Sequence, residues 1–392
     1  MKKQRVLVAM SGGVDSSVAA LLMKNLGFQV IGAFMKNWSQ SKDELGECLW
    51  KEERKMAMKI ASRLKIPLIT LDFEKQYKKE VVEKMFSDYR KGITPNPDID
   101  CNQKIKFPLL IKEAKKLGAD FVVTGHYARI KGTKVPLINP SFKLASRVIK
   151  KNKKYELFRA KDELKDQSYF LYRLNQNELP WILFPIGDYT KKEIRKIAKK
   201  NNFPNFNKKS TVGICFIGKI NLKNFLKKKI KPRKGKILDP KGNIIGEHDG
   251  IYYYTIGQRL GPRYGIEISK ENDNKRNLKR WYIAKKNLKR NEIIAAPKNH
   301  PLLYRKEIMI KNFHLIYGNK QDFKKDVFKN SKKVLSRIRH VGELIPSKIS
   351  YDKNKKQFKI TLNKAITGIS QGQAIVLYHG KKVLGGGVIV FK

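Results

Sequence analysis

The chain is poor in cysteine, in acidic residues and in long apolar runs, and each shortage excludes something. Three cysteines in 392 residues, Cys48, Cys101 and Cys215, cannot form the disulfide framework that staples small secreted domains. No two are spaced Cys-x-x-Cys, so a zinc site is unsupported and no metal ligands are assigned. No run approaches ~18 uninterrupted apolar residues, so no membrane span is expected. The basic opening Met1-Lys2-Lys3-Gln4-Arg5 precedes only Val6 to Met10 before Ser11 and Gly12, and Asp15 arrives too early for a signal-peptide core. The expectation is a cytoplasmic protein in a reducing compartment, where cysteine pairing is transient and catalytic. Acidic residues number 34 against 86 Lys and Arg, a formal net charge of +52. Lys and Arg displace counterions from phosphate backbones, so the direct reading is a nucleic-acid partner. Compositional drift is the alternative, because Lys, Asn and Ile are abundant throughout.

At about 150 residues per domain, the length predicts two or three domains. The first half alternates strand patterns (6–10, 29–34, 67–73, 121–124) with helical ones (18–26, 53–64, 77–91, 105–117), which argues a parallel sheet covered on both faces. Residues 131–154 are basic, lack periodicity and contain Pro136 and Pro140, reading as an exposed loop. Helical pattern returns over 167–174 and 191–201, and a boundary is expected near 204–209. From about 233 the texture becomes short strands punctuated by glycine, at 236–238, 250–255, 280–284, 358–362, 374–378 and 388–391. Gly385-Gly386-Gly387 reads as a bulge or barrel corner, so a small C-terminal β-barrel is expected.

Ser11-Gly12-Gly13-Val14-Asp15-Ser16-Ser17 sits between the first strand and the first helix. Paired glycines let backbone N–H groups approach an anion, and a helix beginning near Ser16 or Ser17 points its positive end there. The Gly-Lys-Ser/Thr ending of a P-loop is missing, so no lysine of that motif meets a γ-phosphate. Asp15 needs a compensating Mg²⁺ or helix amides beside phosphates. The combination suits pyrophosphate better than γ-phosphate transfer, and the heptapeptide resembles the PP-loop of ATP pyrophosphatases, which adenylate an acceptor.

Thr94-Pro95-Asn96-Pro97-Asp98-Ile99-Asp100-Cys101-Asn102 reads as a turn rigidified by two prolines. Asp98 there is an acid/base candidate and Cys101 a nucleophile, against the plainer reading of a surface turn with a chance cysteine. Thr211 to Gly218 carries Cys215 among apolar neighbours and reads as a buried strand, in which burial would raise the thiol pKa; a structural cysteine is the default for that segment alone. Cys48 reads as structural or incidental.

Taken in order, Ser11 to Ser17, Thr94 to Phe107, Gly125-His126-Tyr127-Ala128, Lys165-Asp166-Gln167-Ser168-Tyr169-Phe170-Leu171, Gly213 to Gly218, Gly257-Gln258-Arg259, Gly372-Gln373-Ala374 and Gly385 to Gly387 resemble the bacterial tRNA-specific 2-thiouridylase (MnmA) family across nearly the whole chain. The resemblance implies an α/β fold: a PP-loop, adenine nucleotide alpha hydrolase-like domain (1–207), a small central domain carrying the persulfide cysteine loop (208–298) and a C-terminal β-barrel that contacts tRNA (299–392). It implies ATP, with Mg²⁺, held by Ala9, Met10, Ser11, Gly12, Gly13, Val14, Asp15 and Ser16, with Met35 and Gly125. Asn96, Pro97 and Asp98 would meet the target base, and Lys165, Asp166, Gln167, Arg337, Ile338 and Gln373 would touch tRNA. Cys215 would carry the persulfide and Cys101 would be the second catalytic cysteine. The implied partners are the tRNAs for Lys, Glu and Gln and a sulfur-donor protein, either a relay carrier or a cysteine desulfurase, acting with a monomer. The chain departs from the family at Ser210-Thr211-Val212, where an acid is usual, at Arg337-Ile338-Arg339, where the usual central tyrosine is missing, and in a longer 131–154 insertion. Two other readings stay open: a PP-loop amidating synthetase for a small molecule, and a non-catalytic RNA-binding protein.

Overall fold

The structure, a computed structural model, describes residues 3–40, 48–132, 154–209, 213, 215–217, 221–261, 280–316, 334–340, 342–352 and 357–391. In chain order the first half holds β1 (Arg5–Ala9), β2 (Gln29–Lys36), β3 (Leu68–Asp72), β4 (Phe121–Val123), the hairpin β5 (Ala128–Lys131) and β6 (Glu156–Arg159), and β7 (Ile182–Leu183). Five of these form a parallel sheet in the order β3-β2-β1-β4-β7. Its core explains the uninterrupted apolar run Val6-Leu7-Val8. Alternate side chains leave opposite faces, Val6 and Val8 joining one buried cluster and Leu7 another, so both faces are covered and no polar alternation is needed.

The helices are α1 (Val14–Asn25), α2 (Leu49–Arg63), α3 (Glu74–Tyr77), α4 (Lys84–Arg90), α5 (Pro97–Cys101), α6 (Phe107–Lys116), α7 (Lys191–Lys200) and α8 (Leu222–Lys227). Several begin earlier than the sequence pattern suggests. α3 and α4 are joined through a π turn (Lys78–Glu83), and α5 and α6 through another (Asn102–Lys106). The expected proline-stiffened turn is thus a helix start. Asn96 accepts the Ile99 amide as N-cap and Pro97 occupies the first helical position, where its missing N–H costs nothing. The helix expected over 167–174 shrinks to a 3₁₀ turn (Ser168–Leu171). The strand expected over 250–255 is instead a 3₁₀ turn (Ile251–Tyr253), with Tyr253 and Tyr254 both buried. The 131–154 loop lies almost wholly outside the described residues.

The central part contains β8 (Gly235–Leu238), β9 (Ile244–His248), β10 (Trp281–Asn287) and β11 (Glu292–Pro297), in the order β10-β11-β8-β9. The last part contains β12 (Tyr304–Leu315), β13 (Val334–Arg337), β14 (Ile345–Asp352), β15 (Gln357–Thr367), β16 (Ala374–His379) and β17 (Lys382–Val390). These six run β12-β15-β14-β13-β16-β17, and β12 pairs back onto β17, closing a barrel. Gly385 to Gly387 lie inside β17, opposite a register shift in β16. A Cβ on Gly386 would stand 2.9 Å from the Tyr172 ring, so bare backbone lets the first domain press against the barrel wall. The hairpin β5–β6, early in the chain, pairs with β17 and so belongs to the barrel's sheet. No helix among the described residues is long and apolar enough to cross a membrane.

Candidate active site

The glycine loop follows β1 and opens α1. Gly12 sits at φ +72°, and a Cβ there would lie 2.3 Å from the Glu53 carbonyl oxygen, so only glycine fits this turn. α1 starts at Val14, two to three residues before the sequence-based expectation, and no side chain caps it. Its first amides therefore remain available at the loop, with the positive end of a 12-residue helix behind them. The Ser16 and Ser17 hydroxyls donate to the Gly13 carbonyl at 3.0 and 2.9 Å, and Asn205 donates to the Gly12 carbonyl and to the Ser17 hydroxyl, both at 3.0 Å. Ser11 is exposed at the rim, while Met10 and Met35 are buried at the carboxyl ends of β1 and β2, the edge at which open α/β sheets take ligands.

Asp15 is held otherwise than expected. Lys191, at the first position of α7, pairs with both its carboxylate oxygens at 2.6 and 2.8 Å, and Tyr127 donates to it at 2.8 Å. A lysine thus does stand at this loop, contributed from 176 residues away rather than by a P-loop motif. Among the described residues no three His, Cys, Asp or Glu side chains gather to hold a metal ion. With its one carboxylate paired to Lys191, the loop does not form a magnesium cage.

The two motif cysteines meet. Cys101 ends α5 and Cys215 sits on a turn, with the sulfurs 3.9 Å apart across 114 residues of sequence. Cys215 to Ile217 form a turn with Phe216 at φ +66°, not the expected buried strand. The backbone of Cys215 is gripped twice: its N–H donates to Asp98 Oδ1 at 2.9 Å, and Tyr77 donates its hydroxyl to the Cys215 carbonyl. Lys106 Nζ lies 3.9 Å from Cys215 Sγ and 3.3 Å from His126 Nε2, whose Nδ1 meets Thr124 Oγ1 at 2.7 Å. Cys48 is elsewhere, donating its thiol to the Ser39 carbonyl.

Burial sets unequal acidities. It pushes the Cys101 thiol well up, helped by its neighbour Cys215. Cys215 is pulled the other way: the hydrogen bond from Cys101 outweighs burial, and the Lys106 charge adds to it. The expectation that burial would raise Cys215 is thereby corrected. Asp98 is raised by burial, an effect that the Cys215 amide and Lys106 offset only in part. Lys106 keeps its proton despite burial because Cys215, Cys101 and Asp98 surround it. His126 is lowered by burial and by Lys106, so the imidazole is neutral.

Thiols and glycine loop are coupled through one short segment. A Cβ on Gly125 would stand 2.7 Å from the Ser16 amide nitrogen, so this strand end packs directly on the loop. The next residue, His126, reaches Lys106 and through it Cys215.

The barrel clamps the Asn96–Asp98 segment. Gln373 donates to the carbonyls of Thr94 and Pro95 at 3.0 and 2.8 Å, and its side-chain oxygen accepts from Asn96 at 3.5 Å. Thr94 is bonded further to the Gln371 carbonyl and to Ser370 and Thr255. Three parts of the chain therefore converge on the residues that precede Asp98.

Of the residues assigned to tRNA by resemblance, Lys165 is exposed, and Asn96, Pro97, Gln167 and Gln373 are half-buried. Asp166, Arg337 and Ile338 differ, with exposures of 1%, 4% and 4%. Asp166 accepts from Arg337 at 2.7 Å and from Ser168 and the Ala160 amide, while the Ile338 carbonyl accepts from the Tyr169 hydroxyl. The Asp166–Arg337 pair and the Ile338 carbonyl rivet the first domain to the barrel, and none of the three side chains is offered at the surface; a buried carboxylate needs such partners. Lys106, His126, Tyr77, Lys191 and Asn205 escaped the sequence reading. The first two lie inside quoted motifs, but no local spacing distinguishes a lysine facing a thiol from one facing water.

Family models match three consecutive stretches: a tRNA methyl transferase HUP domain over residues 4–219, a tRNA methyl transferase PRC-barrel domain over 223–297 and an aminomethyltransferase beta-barrel domain over 305–389. Among curated relatives, tRNA-specific 2-thiouridylase MnmA 1 of Geobacillus kaustophilus is 38% identical over 99% of this chain and 96% of its own. The tRNA-specific 2-thiouridylase MnmA of Coxiella burnetii (strain Dugway 5J108-111) is 40% identical over 99% of this chain and 98% of its own. Among solved structures, the NMN synthetase of Francisella tularensis overlaps 53% of this chain and 66% of its own at 14% identity, with a TM-score of 0.31, too slight a likeness to carry weight.

Proposed function

This chain belongs to the MnmA family of tRNA-specific 2-thiouridylases, and from that premise we propose how its own residues carry out the reaction. It is a tRNA-uridine 2-sulfurtransferase that replaces the C2 oxygen of the wobble uridine with sulfur at the expense of ATP. The observation that carries the reading is the 3.9 Å approach of two sulfurs, beside Asp98 and one packed segment away from the glycine loop.

Uridine O2 is a poor leaving group. It attacks the α-phosphorus of ATP, the bond to the β-phosphate breaks, and pyrophosphate leaves into the cradle of Ser11 to Ser16 amides. The N3 proton passes to Asp98, whose carboxyl burial pushes above its ordinary range and so makes a better proton acceptor. The terminal sulfur of a Cys215 persulfide adds to C2, and AMP departs with the former O2. Cys101 then gives up its proton and attacks the Cys215 sulfur, the persulfide S–S bond breaks with its electron pair left on the uridine sulfur, and Asp98 returns the proton to N3, which completes the thiocarbonyl. Cys101 and Cys215 end as a disulfide, and an external thiol must reduce it. A sulfur-donor protein with a persulfide supplies the next sulfur; the need for repeated reduction favours a cytoplasmic setting.

Substrates are the tRNAs for Lys, Glu and Gln, bound to a monomer. Lys165 supplies charge, while Asn96, Pro97 and Asp98 receive the base once it has left its stack. Asp166, Arg337 and Ile338 act behind that surface by fixing the barrel. An amidating synthetase would need neither thiol, and a non-catalytic RNA binder would release no pyrophosphate.

The test is nucleoside mass spectrometry of tRNA from a strain lacking the gene and complemented with variants. Cys215→Ser and Cys101→Ser should each abolish 2-thiouridine while Cys48→Ser restores it. Normal thiolation by Cys215→Ser would refute the reading.

A further inference from the structure

The paired thiols are chemically unequal, and the geometry shows why. Cys101 is fully buried among Ile99, Ile105 and their neighbours. Cys215 is half-buried on its turn, and the groups that face it come from three directions: Tyr77 from α3, Asp98 and Cys101 from α5, and Lys106 from the π turn that follows. Tyr77 and Asp98 bind the backbone of Cys215. Among the described residues, only the Cys101 thiol and the Lys106 ammonium donate to its sulfur, each at 3.9 Å.

Lys106 is placed for this task. Its described polar contacts are Cys215 Sγ and His126 Nε2, and its ammonium lies 5.7 Å from the centre of the Phe216 ring. A neutral imidazole that donates from Nδ1 to Thr124 Oγ1 presents a lone pair at Nε2, which accepts a Lys106 proton without cancelling the charge. A carboxylate in that position would neutralise the lysine. The histidine orients the ammonium and leaves its field directed at the sulfur.

We propose that Lys106, oriented by His126 and Thr124, makes Cys215 rather than Cys101 the anionic sulfur, and so decides which of the two cysteines takes up and delivers the persulfide. The second half rests on the thiolation reading; the first half, the charge state of Cys215 in the resting enzyme, does not. Lys106 is thereby an electrostatic partner of the reacting sulfur, and His126 is a positioning residue.

The experiment is iodoacetamide alkylation of the full-length protein across pH, with peptide mass spectrometry separating Cys48, Cys101 and Cys215. In the wild type Cys215 should react with a midpoint below that of an ordinary thiol and faster than Cys101. Lys106→Met should raise that midpoint by about one unit or more and slow Cys215 alkylation at pH 7 about tenfold, leaving Cys48 unchanged. Lys106→Arg, which keeps the charge, should preserve most of the wild-type profile, and His126→Phe should shift Cys215 in the same direction as Lys106→Met by a smaller amount. Lys106→Gln serves if the methionine variant does not fold. A folded Lys106→Met or Lys106→Gln protein with the wild-type Cys215 midpoint and rate overturns the proposal. Because no tRNA enters this assay, that failure is distinct from survival of thiolation in Cys215→Ser, which would overturn the sulfur-transfer reading alone.

Discussion

Substituting Gln373 tests whether the barrel takes part in chemistry or only in grip. The side chain donates to the Thr94 and Pro95 carbonyls at 3.0 and 2.8 Å, both in buried residues. Gln373→Ala removes two donors. An unpaired buried carbonyl costs about 1–3 kcal/mol, and a water entering the vacated space recovers part of that, so the expected loss is about 2–3 kcal/mol. Gln373→Glu keeps the shape but turns a carboxylate oxygen toward two carbonyl oxygens, so it should lose at least as much. The loosened segment runs directly into Asn96 and Asp98, so single-turnover thiolation should fall about tenfold or more, equivalent to ~1.4 kcal/mol in the barrier. The assay uses persulfide-loaded enzyme, ATP and saturating tRNA, so weakened tRNA binding cannot mimic the effect, with urea unfolding run in parallel. If both variants keep the wild-type unfolding midpoint and single-turnover rate, the clamp has no role in holding Asp98 and the coupling argued from these hydrogen bonds is wrong.

Gly12→Ala forces a Cβ into a left-handed turn 2.3 Å from the Glu53 carbonyl oxygen, and should cost about 2–4 kcal/mol and raise the KM for ATP, read by urea unfolding and pyrophosphate release. Asp98 has a raised folded-state pKa, so its protonated form favours folding and that contribution fades as pH rises through the raised value. Asp98→Asn should therefore gain stability relative to wild type as pH climbs from the ordinary carboxylate range toward neutrality, measured as the difference in melting temperature, while thiolation is lost; a difference independent of pH would contradict the burial of that carboxyl.

Local order was legible because it depends on near neighbours. The run Val6-Leu7-Val8 announced a buried parallel strand, Ser11 to Ser17 a glycine turn opening a helix, and the period-two pattern at Phe358, Ile360 and Leu362 a half-buried strand; all three stand in the structure. Helix starts were less legible. The π turns at Lys78–Glu83 and Asn102–Lys106 let helices begin one or two turns early and shift the apolar period that marks a helix. The same early start moved Asp98 and Cys101 from a turn onto one helical face, three residues apart. Cys215 misled because apolar neighbours suit a strand and a tight hydrophobic turn alike.

Family membership resides in the linear order of short motifs, each a backbone demand that glycine, proline or a capping side chain meets within a few positions. Partnership does not reside there. Lys191 on Asp15, Lys106 on Cys215, Arg337 on Asp166 and Gln373 beneath Pro95 join residues 109 to 278 positions apart. In each case the packing of whole elements chose which of many lysines, arginines or amides reached the site. Exposure was settled at the same level: Asp166 and Arg337, which the resemblance assigns to tRNA, lie buried against each other, because a carboxylate removed from water must find its cation within the fold.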